Sequence, residues 1–119
     1  MVQYRNKFEE RIGALLGKKA LYESCKVPYV VHRHYIPDFT LSLKTGVVHF
    51  ECKGYFRVGD IHKYKSIRDS LETTEELVFV LYDPNKKVRK GGKMTMSEWC
   101  DKEGFSWYTE ETIKNAFIK

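Results

Sequence analysis

The sequence predicts an α/β chain in which helices flank a mixed β-sheet. Two observations carry that expectation. Residues 37–53 alternate apolar and polar side chains on either side of a short turn, the pattern of an antiparallel hairpin. A helix-like segment from Asp60 then leads to "LVFVLY" (77–82), a continuous apolar run of strand length that suits burial on both faces. Strand, helix and buried strand in that order form a right-handed crossover unit, so a parallel pair should join the hairpin.

In chain order, residues 3–22 read as a helix, because Tyr4, Phe8, Ile12, Leu15 and Leu16 fall at helical spacing. At about 100° per residue the apolar stripe runs from roughly −40° to +80° about Phe8. Glu9 sits at its flank and Glu10 nearly opposite, in solvent. "VPYVVHRHYI" (27–36) reads as an extended strand, with Pro28 at its start or on an edge. In "PDFTLSL" (37–43), Phe39, Leu41 and Leu43 take one face and Asp38, Thr40 and Ser42 the other.

"KTG" (44–46) turns the chain and residues 47–53 return. Two registers are open. With Thr45 and Gly46 as the loop, Asp38 faces Lys53. With a loop of 43–46, Asp38 faces Glu51. Directly opposed residues point to one side, so in both registers Asp38, Glu51 and Lys53 share a face. Phe39, Leu41, Phe50 and Cys52 build the other, expected to be the buried back.

Gly54 to Gly59 breaks the pattern. Asp60 can cap a helix whose apolar face is Ile61, Tyr64, Ile67 and Leu71. Asp83-Pro84-Asn85 ends the apolar run, and the basic loop 86–93 follows. "TMSE" (95–98) has capping-box spacing and opens a short helix that Gly104 ends. "FSWY" (105–108) suits a short strand, and Thr109 caps a last helix ending near Lys119.

At 119 residues the chain suits a single domain with one modest core. Its 42% hydrophobic and 31% charged residues are those of a soluble globular protein, and no stretch approaches a membrane span. The start "MVQYRNKFEER" has no apolar signal region, so a cytoplasmic protein is expected. Cys25, Cys52 and Cys100 show no CxxC spacing, which favours free thiols over a zinc site. The net charge of +5 gathers at Lys18-Lys19, at Lys63, Lys65 and Arg68, and most densely in "KKVRKGGK" (86–93). A polyanion is the partner this implies, DNA above all, with a merely solvated basic face as the alternative.

Two carboxylates and a lysine on one face have a chemical use. Asp and Glu oxygens hold Mg²⁺, a hard cation that takes few protein ligands and keeps several waters. Such an ion lowers the pKa of a bound water and offsets charge on an attacked phosphate. A lysine beside it can orient that water and neutralise the transition state. The bland alternative is a cross-strand salt bridge between Glu51 and Lys53, worth less than about 1 kcal/mol on a solvated face.

"PD" at 37–38 and "ECK" at 51–53, joined by a hairpin and followed by a βα crossover, resemble the PD-(D/E)xK nuclease superfamily. "LYESCKVPYV" (21–30), "YIPDFTL" (35–41), "HFECKG" (49–54), "KYKSIR" (63–68) and "KGGKMTMSEWCDKEGF" (90–105) occur in that order. Together they are similar to the phage endonuclease I family over nearly the whole chain. The resemblance implies a restriction-endonuclease-like core and a Mg²⁺-dependent DNA endonuclease, with Mn²⁺ substituting. It implies a homodimer that makes paired nicks across four-way (Holliday) junctions or other branched DNA, in the host cytoplasm. By the same resemblance, Glu9, Asp38 and Glu51 and the backbone carbonyl of Cys52 bind metal, and Lys53 positions the nucleophilic water. In the best-known member the subunits exchange elements, which implies here a domain-swapped dimer with its hinge near 31–36.

Arg33, Lys63, Arg68, Lys86, Lys87, Arg89, Lys90 and Lys93 are candidate phosphate contacts. His32 and His34 would share a strand face, for phosphate contact or plain exposure. His49 shares the face of Glu51 and Lys53, for DNA contact or partial burial. Tyr55 and Phe56 are expected in the core, as are Trp99, Phe105 and Trp107. Rival functions are a homing, restriction or repair endonuclease on linear duplex, and a non-catalytic basic DNA-binding module.

Overall fold

The computed structural model, described for residues 2–117, runs α1 (Lys7–Leu16), β1 (Phe39–Leu43), β2 (Gly46–Lys53), α2 (Asp60–Ser70), β3 (Glu75–Leu81), α3 (Met96–Glu103), β4 (Trp107–Tyr108) and α4 (Glu110–Phe117). It divides into two compact units, Met1–Arg33 and His34–Lys119. That boundary falls inside the segment 31–36 where a hinge is expected.

In the first unit the helix is shorter than the periodicity suggests. Asn6 caps α1, its side chain accepting from Glu9 N at 2.8 Å, and Gly17 ends it with φ 88°. A left-handed glycine stops a helix whatever the hydrophobic pattern beyond it. The expected strand 27–36 does not form: residues 24–37 carry no regular element. A strand needs a hydrogen-bonded neighbour, and apolar content alone does not supply one. Tyr4 and Tyr22 pack edge-on at 4.7 Å and fold the chain back on α1.

The second unit is a four-stranded sheet in the order β1-β2-β3-β4. β1 runs antiparallel to β2, while β2, β3 and β4 are mutually parallel. The register Phe39↔Phe50 through Leu43↔Gly46 is that of the second of the two expected pairings, and it stops one residue short of Asp38. The loop is tighter than the four residues expected, because Leu43 and Gly46 are themselves paired. Gly46 has φ 148°, and a Cβ there would stand 2.2 Å from the Thr74 carbonyl oxygen, which accepts from Val47 N at 2.8 Å. Only glycine fits at this crossing of the hairpin and the β3 entry.

Both faces of the sheet are covered. On one, Leu77, Phe79 and Leu81 of β3 pack with Tyr64, Met96, Trp99, Cys100 and Phe105. On the other, Val48, Phe50 and Val78 pack against Ile113 and Phe117 of α4. This corrects the expected buried back: Phe39, Leu41 and Cys52 are exposed, Leu41 the least at 37%, and of those four only Phe50 is in a core. β1 is an edge strand, exposed along its whole length. The larger core lies on the side of Glu51 and Lys53, since Glu51 pairs with Phe79 and Lys53 with Leu81.

Other expectations hold. β3 is buried on both faces. Thr95 and Glu98 form the capping box of α3, and Gly104 ends it with φ 79°. β4 is the short strand expected in 105–108. Trp99 and Phe105 stack at 5.3 Å in the core, with Phe56 5.0 Å from Trp99. Half-buried Trp107 packs against that cluster, but Tyr55 is exposed, against expectation. Thr109 Oγ1 accepts from Thr112 N at 3.4 Å at the start of α4. The expected helix end near Lys119 lies outside the described residues.

Gly46→Ala should cost about 1–3 kcal/mol, read as a lower denaturant midpoint with an unchanged slope. Cys100 predicts an alkaline limit. Burial pushes its thiol up to about 12, so the folded state favours the protonated form. That stabilisation is complete below the pKa of a free thiol, about 8.5, and is lost as pH rises toward 12. The fall in Tm between pH 8 and 10.5 should therefore be shallower in Cys100→Ala than in the parent protein.

Candidate active site

The site in the second unit begins where β1 starts. Pro37 precedes the strand, and Asp38, just before the paired residues, donates its N–H to Phe50 O at 3.0 Å, the carbonyl next to Glu51. One oxygen of exposed Asp38, Oδ2, accepts from Cys52 N at 2.7 Å, so the carboxylate is fastened to the strand that bears Glu51.

Glu51 is 9% exposed. Its Oε1 accepts from the Tyr35 hydroxyl, and its Oε2 stands 3.8 Å from Lys53 Nζ. Lys53 lies closer to Asp60, 3.3 Å from Oδ2, and 5.1 Å over the Tyr64 ring. Asp60 is 8% exposed and also accepts from Arg57 N at 2.8 Å. It is not the cap expected: Gly59, left-handed at φ 91°, holds the N-cap position, and Asp60 is the first helical residue. A glycine there turns the chain sharply and leaves the Asp60 side chain free to reach back to Lys53.

The electrostatics of this cluster are negative, since Asp38, Glu51 and Asp60 face a single lysine. Every neutral acid nearby feels it. Burial, and then the Glu51 carboxylate, raise the Tyr35 phenol above its usual range. Burial, then Glu51 and Asp60, do the same to Tyr64. The Cys52 thiol is raised by burial and by Asp38 and Glu51. Both phenols stay protonated and so remain donors. Such a donor set fits a hard divalent cation. Among the described residues no three His, Cys, Asp or Glu side chains gather into a metal cage, and an ion that retains most of its waters does not require one.

Glu9 belongs to the first unit. Its Oε1 accepts from the Tyr22 hydroxyl at 3.1 Å, while its Oε2 is buried with no hydrogen-bond partner among the described residues. Glu10 is exposed and pairs with Lys7 at 3.8 Å, as the helical wheel expects. An orphaned buried carboxylate oxygen is rare in proteins, and a cation satisfies it.

His49 is strapped across three strands, Nδ1 2.8 Å from Thr40 Oγ1 and Nε2 2.7 Å from Glu75 Oε2. The same contact holds the Glu75 carboxyl below the usual range. His32 and His34 are exposed and share no strand face, for want of a strand.

The basic candidates fall into two groups. Lys86, Lys87, Arg89, Lys90 and Lys93 are exposed on the loop before α3, with Lys87 Nζ donating to Lys93 O at 2.9 Å. A groove of about 470 Å³ beside it is lined by Arg57, His62, Arg89 and Lys90 and by half-buried Phe56 and Val88. Arg33 is exposed in the first unit, and Lys63 lies over the rings of Tyr35 and Tyr64. Arg68 is instead engaged within the protein, by Asp69 at 3.3 Å, by the Glu103 backbone carbonyl and by the Phe105 ring.

Tyr35, Asp60 and Tyr64 are the site members that sequence reasoning missed. Tyr64 reads as one more apolar helix position and Asp60 as a cap. The available signal was an acid opening the first helix after the glutamate–lysine pair.

The whole chain, residues 1–119, matches the family described as phage endonuclease I. Over 122 residues it is 28% identical to Endonuclease I of Escherichia phage T7, the match covering 98% of this chain and 78% of that protein. It is also 28% identical to Endodeoxyribonuclease 1 of Enterobacteria phage T3, over 98% of this chain and 77% of that protein.

Proposed function

As the chain belongs to the phage endonuclease I family and is a DNA-cleaving enzyme, we propose that it hydrolyses DNA phosphodiesters with Mg²⁺ at Asp38, Glu51 and Lys53, on branched DNA such as four-way junctions. One observation supports the reading above the rest: the Asp38 carboxylate is bonded to Cys52 N, between Glu51 and Lys53, and those two residues share one face of β2.

Asp38, Glu51, the Cys52 carbonyl and Glu9 would hold Mg²⁺, or Mn²⁺ in its stead. When bound, the ion makes hydroxide available at neutral pH and offsets charge on the attacked phosphate. Lys53 orients the attacking water in line with the bond to be broken. Its ammonium counters charge gathering on the phosphoryl oxygens. The half-buried setting of Lys53 strengthens that effect relative to bulk water. The exposed lysines and arginines of loop 86–93, and the basic groove beside it, carry flanking phosphates, which position the duplex without reading its sequence. Exposed Arg33 in the first unit and exposed Lys63 in the second are further phosphate contacts in this reading.

The working form in this reading is a homodimer in the host cytoplasm. Among the described residues, the first unit has no buried hydrophobic side chain, and Leu15 is 80% and Phe8 62% exposed. A 33-residue unit with no core of its own needs a partner surface, and a second copy of this chain is the partner proposed. An exchange of elements about 31–36 would provide it.

Lys53→Ala should keep junction binding and lose Mg²⁺-dependent nicking by about 100-fold or more, and Asp38→Asn should behave alike. Retained cleavage in either variant would remove the site assignment. A four-way junction should be cut in preference to a linear duplex of the same sequence; equal cleavage would favour a homing, restriction or repair activity. Light scattering should give twice the 14.1 kDa chain mass, and Leu15→Glu with Leu16→Glu should shift it toward monomer.

A further inference from the structure

Glu51 and Lys53 sit two residues apart on one face of β2, close enough to collapse into a simple ion pair. A closed pair is of little use: the carboxylate would be neutralised and the ammonium turned away from any water. The structure supplies each member with a competing partner. Tyr35, from the segment entering β1, donates its hydroxyl to Glu51 Oε1. Its ring meets Tyr64 edge-on at 6.3 Å, which fixes the approach. Asp60, from the first turn of α2, stands 3.3 Å from Lys53 Nζ, closer than Glu51 at 3.8 Å. Arg57 N donates to the same Asp60 oxygen at 2.8 Å, which pins the carboxylate in place. At 8% exposure Asp60 has little water to turn to.

We propose that Tyr35 and Asp60 are positioning residues, which hold Glu51 and Lys53 in separate, fixed orientations instead of a closed ion pair. This rests on the assignment of Glu51 and Lys53 to the hydrolytic site. Tyr35 engages Oε1 of Glu51 and leaves Oε2, 3.8 Å from Lys53 Nζ, open to a further ligand. Asp60 holds the ammonium 3.3 Å from its Oδ2, away from a closed contact with Glu51. The two come from opposite ends of the site's framework, the chain entering β1 and the helix leaving β2. The site geometry is thus set by both.

The test is a set of single-turnover rates on a four-way junction with Mg²⁺, followed over hours, with junction affinity and Tm measured alongside. Asp60→Asn keeps the shape and an acceptor for Arg57 N but removes the charge. Tyr35→Phe removes one oxygen and keeps the ring. Each should lower the cleavage rate about 10- to 100-fold while changing junction affinity less than about 2-fold. Asp60→Glu should recover part of the loss. In a Lys53→Ala background, Asp60→Asn should cost nothing further, because Asp60 acts through Lys53.

Wild-type rates in Asp60→Asn and Tyr35→Phe, with Lys53→Ala inactive, would overturn the proposal and leave the hydrolytic assignment standing. An additional loss from Asp60→Asn in the Lys53→Ala background would overturn it too, since Asp60 would then act independently. Full activity in Lys53→Ala would remove the underlying assignment and the proposal with it. If Asp60→Asn fails to fold by Tm, Asp60→Glu and Tyr35→Phe decide the question by the same split between rate and affinity.

Discussion

The second unit is arranged around two opposite charges held on the core side of one strand. Glu51 and Lys53 pair with Phe79 and Leu81 of β3, next to the largest apolar cluster of the protein. Taking a carboxylate and an ammonium out of water costs several kcal/mol each, and their attraction repays this only with good geometry and further hydrogen bonds. The Tyr35 hydroxyl, the Asp60 carboxylate, Arg57 N behind it and the Tyr64 ring provide those partners. The glycine turn before α2, the start of that helix at Asp60 and the tyrosine before Pro37 can all be understood as meeting the needs of these two charges.

The sheet divides its labour accordingly. The α4 side of β2 is purely apolar, with Val48 and Phe50 against Ile113 and Phe117. The α2 side passes from His49, strapped to Thr40 and Glu75, through Glu51 to Lys53 at the strand's end. Side-chain alternation makes that sequence obligatory: a shift of either charged residue by one position would turn it to the opposite face, away from Tyr35, Asp60 and Tyr64. The edge strand β1 pays with its own exposure for bringing Asp38 to the site.

Much of this was legible in the residues. The alternation of 37–53 put Asp38, Glu51 and Lys53 on one face in either register, and the apolar run gave the buried parallel strand. Which register holds could not be read locally, because it depends on Gly46 meeting the Thr74 carbonyl from a distant turn. The same kind of long-range information was missing elsewhere. "VPYVVHRHYI" has strand composition but no neighbour to pair with, and composition cannot announce a missing partner. Phe39 and Leu41 alternate as core residues do, yet β1 lies at the edge and leaves them exposed. Asp60 was placed at the right helix end with the wrong task, since the geometry of Gly59 turns its side chain back toward Lys53.

The first unit poses the complementary problem. Its helix is well capped and its tyrosines well packed, yet it exposes its apolar stripe and keeps one buried Glu9 oxygen unpartnered. These two deficits differ in kind. An apolar surface is satisfied by another apolar surface, whereas an orphaned carboxylate oxygen calls for a donor or a cation. A second polypeptide covering α1 would answer the first need and leave the second unless it brought positive charge to Glu9. A metal ion answers the second and leaves the first. In the proposed homodimer, a carboxylate completing a metal site at the subunit contact would answer both at the same short helix.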